Sequence, residues 1–209
     1  MSRFESRAYK VSVVSLMIAL VPVLEMINQA LPLRAPWGMS IDFVALPVLL
    51  AFFILGARYA TVTAIGMYLI LTAFGFANFV GATMKFFSTV AMVVVLGIFA
   101  CRWAKGENPK AFPLPVLLIA SVAAIGFRCL VAFALNYYWA IPIFMSMPIE
   151  DVINTMFLGS IWGFIGFVSA MNVTQGAIDI GLAWFITFSA GLSRRALGTA
   201  ATSRASSAR

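Results

Sequence analysis

Long apolar segments dominate this 209-residue chain and leave little of it outside a membrane. Hydrophobic residues make up 63% of the sequence, and charged residues only 10%. A helix that crosses the hydrocarbon core of a bilayer needs about 20 mostly apolar residues. The composition therefore excludes an ordinary soluble domain and indicates an all-α integral membrane protein. The first apolar block is too long for a signal peptide and lacks a small-residue cleavage site, so no cleaved leader is expected.

The apolar blocks and the breaks between them predict a bundle of six transmembrane helices, near residues 11–31, 42–56, 59–77, 82–100, 113–135 and 173–192. Basic residues test this number, because loops rich in Lys and Arg stay on the cytoplasmic side. The basic residues outside the blocks are Arg3, Arg7, Lys10, Arg34, Arg58, Arg102, Lys105, Lys110, Arg194, Arg195, Arg204 and Arg209. All of them except Arg34 share one side only if the chain crosses six times, with both termini in the cytoplasm.

A long outer loop is predicted between the fifth and sixth helices. It contains an apolar stretch from Thr155 to Ala170, which raises the alternative of a seventh span. A seventh span would place the Arg-rich tail outside, against the charge rule, so we expect the stretch to pack back onto the bundle. Residues 1–195 then form a single transmembrane domain, and residues 196–209, rich in Ala, Ser and Thr, form a disordered cytoplasmic tail.

Four ionisable residues lie within or at the rim of the apolar blocks, namely Asp42, Lys85, Arg128 and Asp179. An ionised group at membrane depth costs about 3 kcal/mol on insertion scales, so such residues persist where they face a polar cavity or one another. At about 1.5 Å of rise per helical residue, the predicted topology places all four in one layer near the outer side. Glu25 and Asn28 of the first helix fall in the same layer. A cavity open to the outside is the simplest explanation.

The four charges also have a purely structural interpretation. Lys85 with Asp42, and Arg128 with Asp179, can form buried ion pairs that only fix the packing of helices. The two roles are compatible, since a ligand site often includes such pairs. Equal numbers of acids and bases favour a neutral, polar ligand over a multiply charged anion.

Two further clusters carry polar or aromatic side chains. Asn136, Tyr137 and Tyr138 follow the fifth span, where aromatic residues form an interfacial belt or else stack on a flat ligand ring. Asn172 and Gln175 share a helix face with Asp179, at spacings of three and four. Their amides suit a ligand with imide or pteridine edges, although capping of the last helix is an alternative role.

Small residues recur along the cytoplasmic half of the first helix. They are Ala8, Ser12, Ser15 and Ala19, at spacings of four, three and four. A stripe of small side chains lets another helix approach closely in lipid. The stripe therefore predicts either a partner interface or close packing within the same bundle.

Several classes of function are excluded by what the sequence lacks. It contains no His, no Walker-type glycine loop and no cluster of metal ligands. We expect no enzymatic activity, no resident metal or cofactor and no ATP hydrolysis of its own. The positive charge reflects topology and not binding of nucleic acid. Without a clear inverted repeat, concentrative transport needs energy from a partner.

Three stretches of the chain resemble the substrate-binding S components of energy-coupling factor (ECF) vitamin transporters. Residues 41–47 and 53–56 resemble that family's Asp-Phe…Pro…Leu-Gly signature. Residues 81–86, Gly-Ala-Thr-Met-Lys-Phe, resemble the family's entry to the fourth helix. Residues 136–142, with Asn172 and Gly176, resemble its riboflavin-binding branch.

The resemblance implies a six-helix bundle in the cell membrane that binds a vitamin, most closely riboflavin, near its outer face. It also implies that the small-residue stripe docks on a transmembrane coupling protein carried by two ATPases. Two serines stand in the stripe where the family more often has alanine, and Gln175 stands where riboflavin binders commonly carry Lys. The residues expected to line the ligand site are Asp42, Lys85, Arg128, Asn136, Tyr137, Tyr138, Asn172, Gln175 and Asp179.

Three alternatives to this hypothesis remain. The ligand can be another vitamin, such as folate or pantothenate. The protein can be a stand-alone secondary transporter that couples uptake to ions through Asp42 or Asp179. It can also be a membrane scaffold that transports nothing, with the four charges as structural pairs.

Overall fold

The computed structural model describes residues 6–30, 35, 39–75, 79–103 and 114–189, and the elements of this part are helices. They are α1 (Arg7–Ala30), α2 (Leu46–Leu55), α3 (Ala57–Ala73), α4 (Phe79–Trp103), α5 (Leu114–Leu135), α6 (Ile141–Met145), α7 (Ile149–Met156) and α8 (Ile161–Trp184). A π-helical segment, Asn136–Ala140, joins α5 to α6, and a second one, Phe185–Ser189, extends α8.

Four helices in the described part of the chain are long and apolar enough to cross a membrane: Arg7–Ala30, Phe79–Trp103, Leu114–Met145 and Ile161–Ser189. The helices α2 and α3 are shorter, with 10 and 17 residues. They meet at Gly56, whose φ of 95° a glycine adopts at little steric cost. The number of crossings and the side of each terminus stay predictions.

The short helix α2 lies at the centre of the bundle and packs against α1, α3 and α8. Apolar residues surround its whole circumference, so no face of it favours water. Val48, Leu49 and Phe52 are fully buried there. The long helices instead expose large apolar side chains, such as Val122 at 74%, on the outside of the bundle. This distribution fits a solvent of lipid and not water.

The last helix begins at Ile161 and not near residue 173, so the prediction that Thr155 to Ala170 form a loop was wrong for most of this stretch. The connection after α6 spans only residues 146–160 and contains α7. Ser160 caps α8 by accepting a hydrogen bond from the Trp162 amide at 3.2 Å. The first turns of α8 then bury Phe164 and Val168 in a small second core that they share with α7.

Other helix boundaries also differ from the prediction. The fifth helix does not end at residue 135, because the π-helical segment carries it on to Met145. The second helix begins at Leu46, so residues 42–45 are not helical. The predicted tail at 196–209 and most of the basic residues that set the topology lie outside the described residues.

The junction of α7 and α8 generates a test of packing. A methyl group added at Gly163 would overlap the backbone carbonyl oxygen of Phe157, whereas one added at Gly166 meets open space. We expect Gly163→Ala to destabilise the protein by about 1–3 kcal/mol, since overpacking forces backbone shifts. The control Gly166→Ala should be neutral or stabilising by about 0.5–1 kcal/mol. Thermal unfolding in detergent measures both, and equal melting temperatures for the two variants would contradict this packing.

Candidate functional site

A cavity of about 250 Å³ opens among α1, the segment 39–45, α4, the continuous helix α5–α6, and α8. Its polar lining consists of Glu25, Asn28, Ser40, Asp42, Lys85, Ser88, Thr89, Arg128, Asn136, Asn172, Gln175 and Asp179. Its apolar lining consists of Met39, Ala45, Val80, Gly81, Met84, Ala140, Ile141 and Phe144. The bundle thus brings polar groups from five separate elements to one place.

All the ligand residues predicted from the sequence line this cavity except Tyr137 and Tyr138. Tyr137 packs in the second core, where its ring lies 5.9 Å from the ring of Phe133 at an interplanar angle of 26°. Tyr138 points away from the cavity and is 79% exposed. The structure therefore does not bring either tyrosine to the site. Exposure of Tyr138 fits the alternative of an interfacial aromatic.

Lys85 sits between two carboxylates. Its Nζ atom lies 3.0 Å from Glu25 Oε2 and 3.0 Å from Asp42 Oδ2. The predicted pair of Lys85 with Asp42 is confirmed, and Glu25 is a second partner that the pairing argument did not include. Both acids are at least nine-tenths buried, so their charges depend on this one ammonium group.

Arg128 and Asp179 form the second predicted pair, although without a hydrogen bond. Arg128 Nη1 lies 3.7 Å from Asp179 Oδ2. The guanidinium Nε donates instead to Asn172 Oδ1 at 3.0 Å. Asp179 is fully buried, and its other oxygen accepts from Gln175 Nε2 at 2.9 Å. The pair is thus held in place by two amide side chains of α8.

Helical spacing explains how the site is assembled. Asn172, Gln175 and Asp179 recur every three or four residues of α8, as predicted, and all face the cavity. Ser88 and Thr89 follow Lys85 at the same spacings on α4, a signal that identifies two cavity residues the sequence reasoning missed. Glu25 and Asn28 were placed at the correct depth but were not included in the predicted site.

The π-helical segment contributes the remaining polar wall. Asn136 begins this segment, lines the cavity and donates from Nδ2 to the Ala132 carbonyl at 2.7 Å. Single π turns within long helices are frequent at functional sites, because the extra residue changes which side chains face inward. Ala140 and Ile141 follow Asn136 on the cavity wall.

The site carries an excess of one negative charge when all its groups are ionised. Three carboxylates, those of Glu25, Asp42 and Asp179, face two cationic groups, Lys85 and Arg128. This changes the equal balance inferred from four charges. Two oxygens of lining residues, Asn28 Oδ1 and Asp179 Oδ2, are fully buried and have no hydrogen-bond donor among the described residues, so neither faces the open space of the cavity. With more carboxylates than cationic groups in its lining, the cavity favours an occupant that brings hydrogen-bond donors and no negative charge.

Metal binding finds no support in this part of the chain. Within the residues that the structure describes, no three His, Cys, Asp or Glu side chains form a candidate metal site.

The small-residue stripe of α1 lies on the part of that helix away from the cavity. Ala8, Ser12, Ser15 and Ala19 are all exposed in the described structure. Packing against the described part of the bundle, the alternative role, therefore does not account for the stripe.

Comparison with known proteins identifies the class. A family model described as "ECF transporter, substrate-specific component" matches residues 10–190. The chain therefore belongs to the family of ECF transporter substrate-specific components, and it is an integral membrane protein of a transport system. The resemblance seen in the sequence is confirmed at the level of this family.

The fold agrees with that assignment. A solved structure described as "Structure and mechanism of the S component of a bacterial ECF transporter" superposes with a TM-score of 0.62 at 18% sequence identity. The match covers 87% of this chain and 94% of that one. No curated protein sequence matches the chain significantly.

The shared ammonium group generates a prediction about stability. Lys85→Met leaves two buried carboxylates without a cation, so we expect the ligand-free protein to lose about 3 kcal/mol of stability. The double variant Lys85→Met with Glu25→Gln removes one of the uncompensated charges and should recover part of that loss. Thermal unfolding in detergent compares the two. A double variant that is as unstable as the single one, or less stable, would contradict the proximity of Glu25 to Lys85.

Proposed function

We propose that this chain is the riboflavin-binding subunit of an ATP-driven vitamin importer in the cell membrane. The observation that carries the proposal is the cavity itself, which combines three carboxylates and two cationic groups with an apolar lining in an S-component fold. The chain binds the vitamin, and the energy for transport comes from partner ATPases.

The charge of the cavity supports riboflavin over the alternative vitamins. Folate and pantothenate carry carboxylates that are ionised at neutral pH, and each would add negative charge to a site that already has an excess. Riboflavin is neutral, and its ring imide N–H and ribityl hydroxyls are hydrogen-bond donors. These donors suit a lining that contains three carboxylates and two cationic groups.

The apolar lining supports a flat ring in the same cavity. Val80, Met84, Ile141 and Phe144 present apolar side chains to the same cavity as the charged groups. An aromatic ring system with polar edges buries its faces against such side chains while its edges form hydrogen bonds. A flavin has this division between faces and edges.

Riboflavin binding is measured directly on protein purified in detergent. We expect the protein to carry flavin absorbance after expression with riboflavin, and to quench flavin fluorescence on titration. The phosphorylated flavin FMN should bind at least about tenfold more weakly, because its phosphate adds negative charge.

Matched asparagine variants locate the site. Asn136→Leu removes a polar group from the cavity wall and should weaken riboflavin binding by about tenfold. Asn154→Leu changes an exposed residue of α7 and should leave binding unchanged. A protein that takes up no flavin but binds folate or pantothenate would refute riboflavin as the ligand and retain the class.

The exposed stripe of α1 supports a docking role toward the membrane coupling protein. Small side chains allow a partner helix to approach closely, and here no described part of the bundle covers them. The stripe and the cavity occupy different parts of α1, so partner and ligand can be bound at the same time.

A bulky substitution separates docking from binding. We expect Ser15→Trp to leave riboflavin affinity unchanged and to abolish ATP-driven uptake in vesicles that contain the coupling protein and ATPases. The control Val122→Trp alters an exposed position on α5 and should retain uptake. Uptake that persists without any ATPase would instead support an ion-coupled secondary transporter.

A further inference from the structure

The amide group of Gln175 is occupied by the protein itself. Its Oε1 accepts the backbone N–H of Asp42 at 2.8 Å, and its Nε2 donates to the backbone carbonyl of Asp42. The same Nε2 donates to Asp179 Oδ1 at 2.9 Å. A glutamine amide has two donor hydrogens, so both are already used. Gln175 has no donor left for a ligand.

Asp42, the hydrogen-bond partner of Gln175, belongs to a segment that forms part of the cavity wall. Asp42 lies in the segment 39–45, which precedes α2, and Met39, Ser40, Asp42 and Ala45 of this segment line the cavity. A buried backbone outside a helix must find other partners for its N–H and C=O groups. One side chain of α8, 133 residues further along the chain, satisfies both groups of Asp42.

The side chain of Asp42 complements this contact. It accepts the Val44 amide at 3.0 Å and the Ser40 hydroxyl at 3.3 Å, which fixes the turn from within. It also pairs with Lys85 on α4. The segment is therefore attached to α4 by a side-chain ion pair and to α8 by the backbone pairing with Gln175.

We propose that Gln175 is a positioning residue that sets the place of the segment 39–45 in the cavity wall and does not itself bind the ligand. This role rests on the proposed function only in so far as the cavity holds a vitamin. A lysine, with three donors and no acceptor, cannot accept the Asp42 N–H. The glutamine at this position thus makes an attachment that a lysine cannot make.

Hydrogen exchange tests the attachment without any ligand. Gln175→Met keeps the length of the side chain and removes all three hydrogen bonds. We expect amide exchange in peptides covering 39–45 to rise by about tenfold or more, while exchange in α7 stays unchanged. The control Thr174→Val, whose hydroxyl bonds only the Ala170 carbonyl of its own helix, should leave both regions unchanged.

Binding measurements distinguish positioning from direct contact. Lumiflavin is the flavin ring without the ribityl chain. If Gln175 only positions the segment 39–45, Gln175→Met weakens the binding of riboflavin and of lumiflavin by the same factor of about ten. Unequal losses of riboflavin and lumiflavin affinity, together with unchanged amide exchange over 39–45, would show direct contact between Gln175 and the ligand and would overturn the proposal. If the wild type binds no flavin while exchange still rises in Gln175→Met, the positioning role stands and riboflavin is refuted as the ligand.

Two further measurements decide the matter if Gln175→Met does not fold. Gln175→Lys also loses the acceptor, so it should show the same rise in exchange over 39–45. In the wild type, peptides over 39–45 should exchange slowly for a non-helical segment. Fast exchange there in the wild type, or normal exchange in Gln175→Lys, would overturn the proposal.

Discussion

The need to pair five charges inside an apolar bundle determines how the rest of this structure is arranged. Glu25, Asp42, Lys85, Arg128 and Asp179 come from five different elements, and each would be costly alone at this depth. Their pairing requires these elements to meet at one level, and the cavity lies at that level. The apolar packing of α2 stabilises the bundle. The charged layer determines how far each helix is shifted along its axis relative to the others.

That layer was largely predictable, because depth along a helix follows from counting residues. The pairs of Lys85 with Asp42 and of Arg128 with Asp179 were both expected from the sequence and are both present. Glu25 was placed at the right depth, but only the fold shows that it shares Lys85. This third acid changes the preferred ligand from merely neutral to one rich in donors.

Other features depended on information that composition does not carry. An apolar loop and the apolar start of a helix look alike, so the first turns of α8 were misassigned, although Gly159 and Ser160 mark the boundary. Tyr137 and Tyr138 follow one another in sequence, but neighbouring residues on a helix point about 100° apart, and here the first packs in the second core while the second is exposed. The contact of Gln175 with the backbone of Asp42 joins residues 133 apart and has no local signal.

The continuous helix from Leu114 to Met145 has a consequence for how this protein can change in length. Arg128, Ala132, Asn136 and Ala140 recur every four residues along it and are all buried. One residue added or deleted between Leu114 and Arg128 would turn this row about 100° around the helix relative to the turns before it. Arg128 and Asn136 would then face lipid together. Within this helix a single insertion would therefore remove a cation and an amide from the cavity at once.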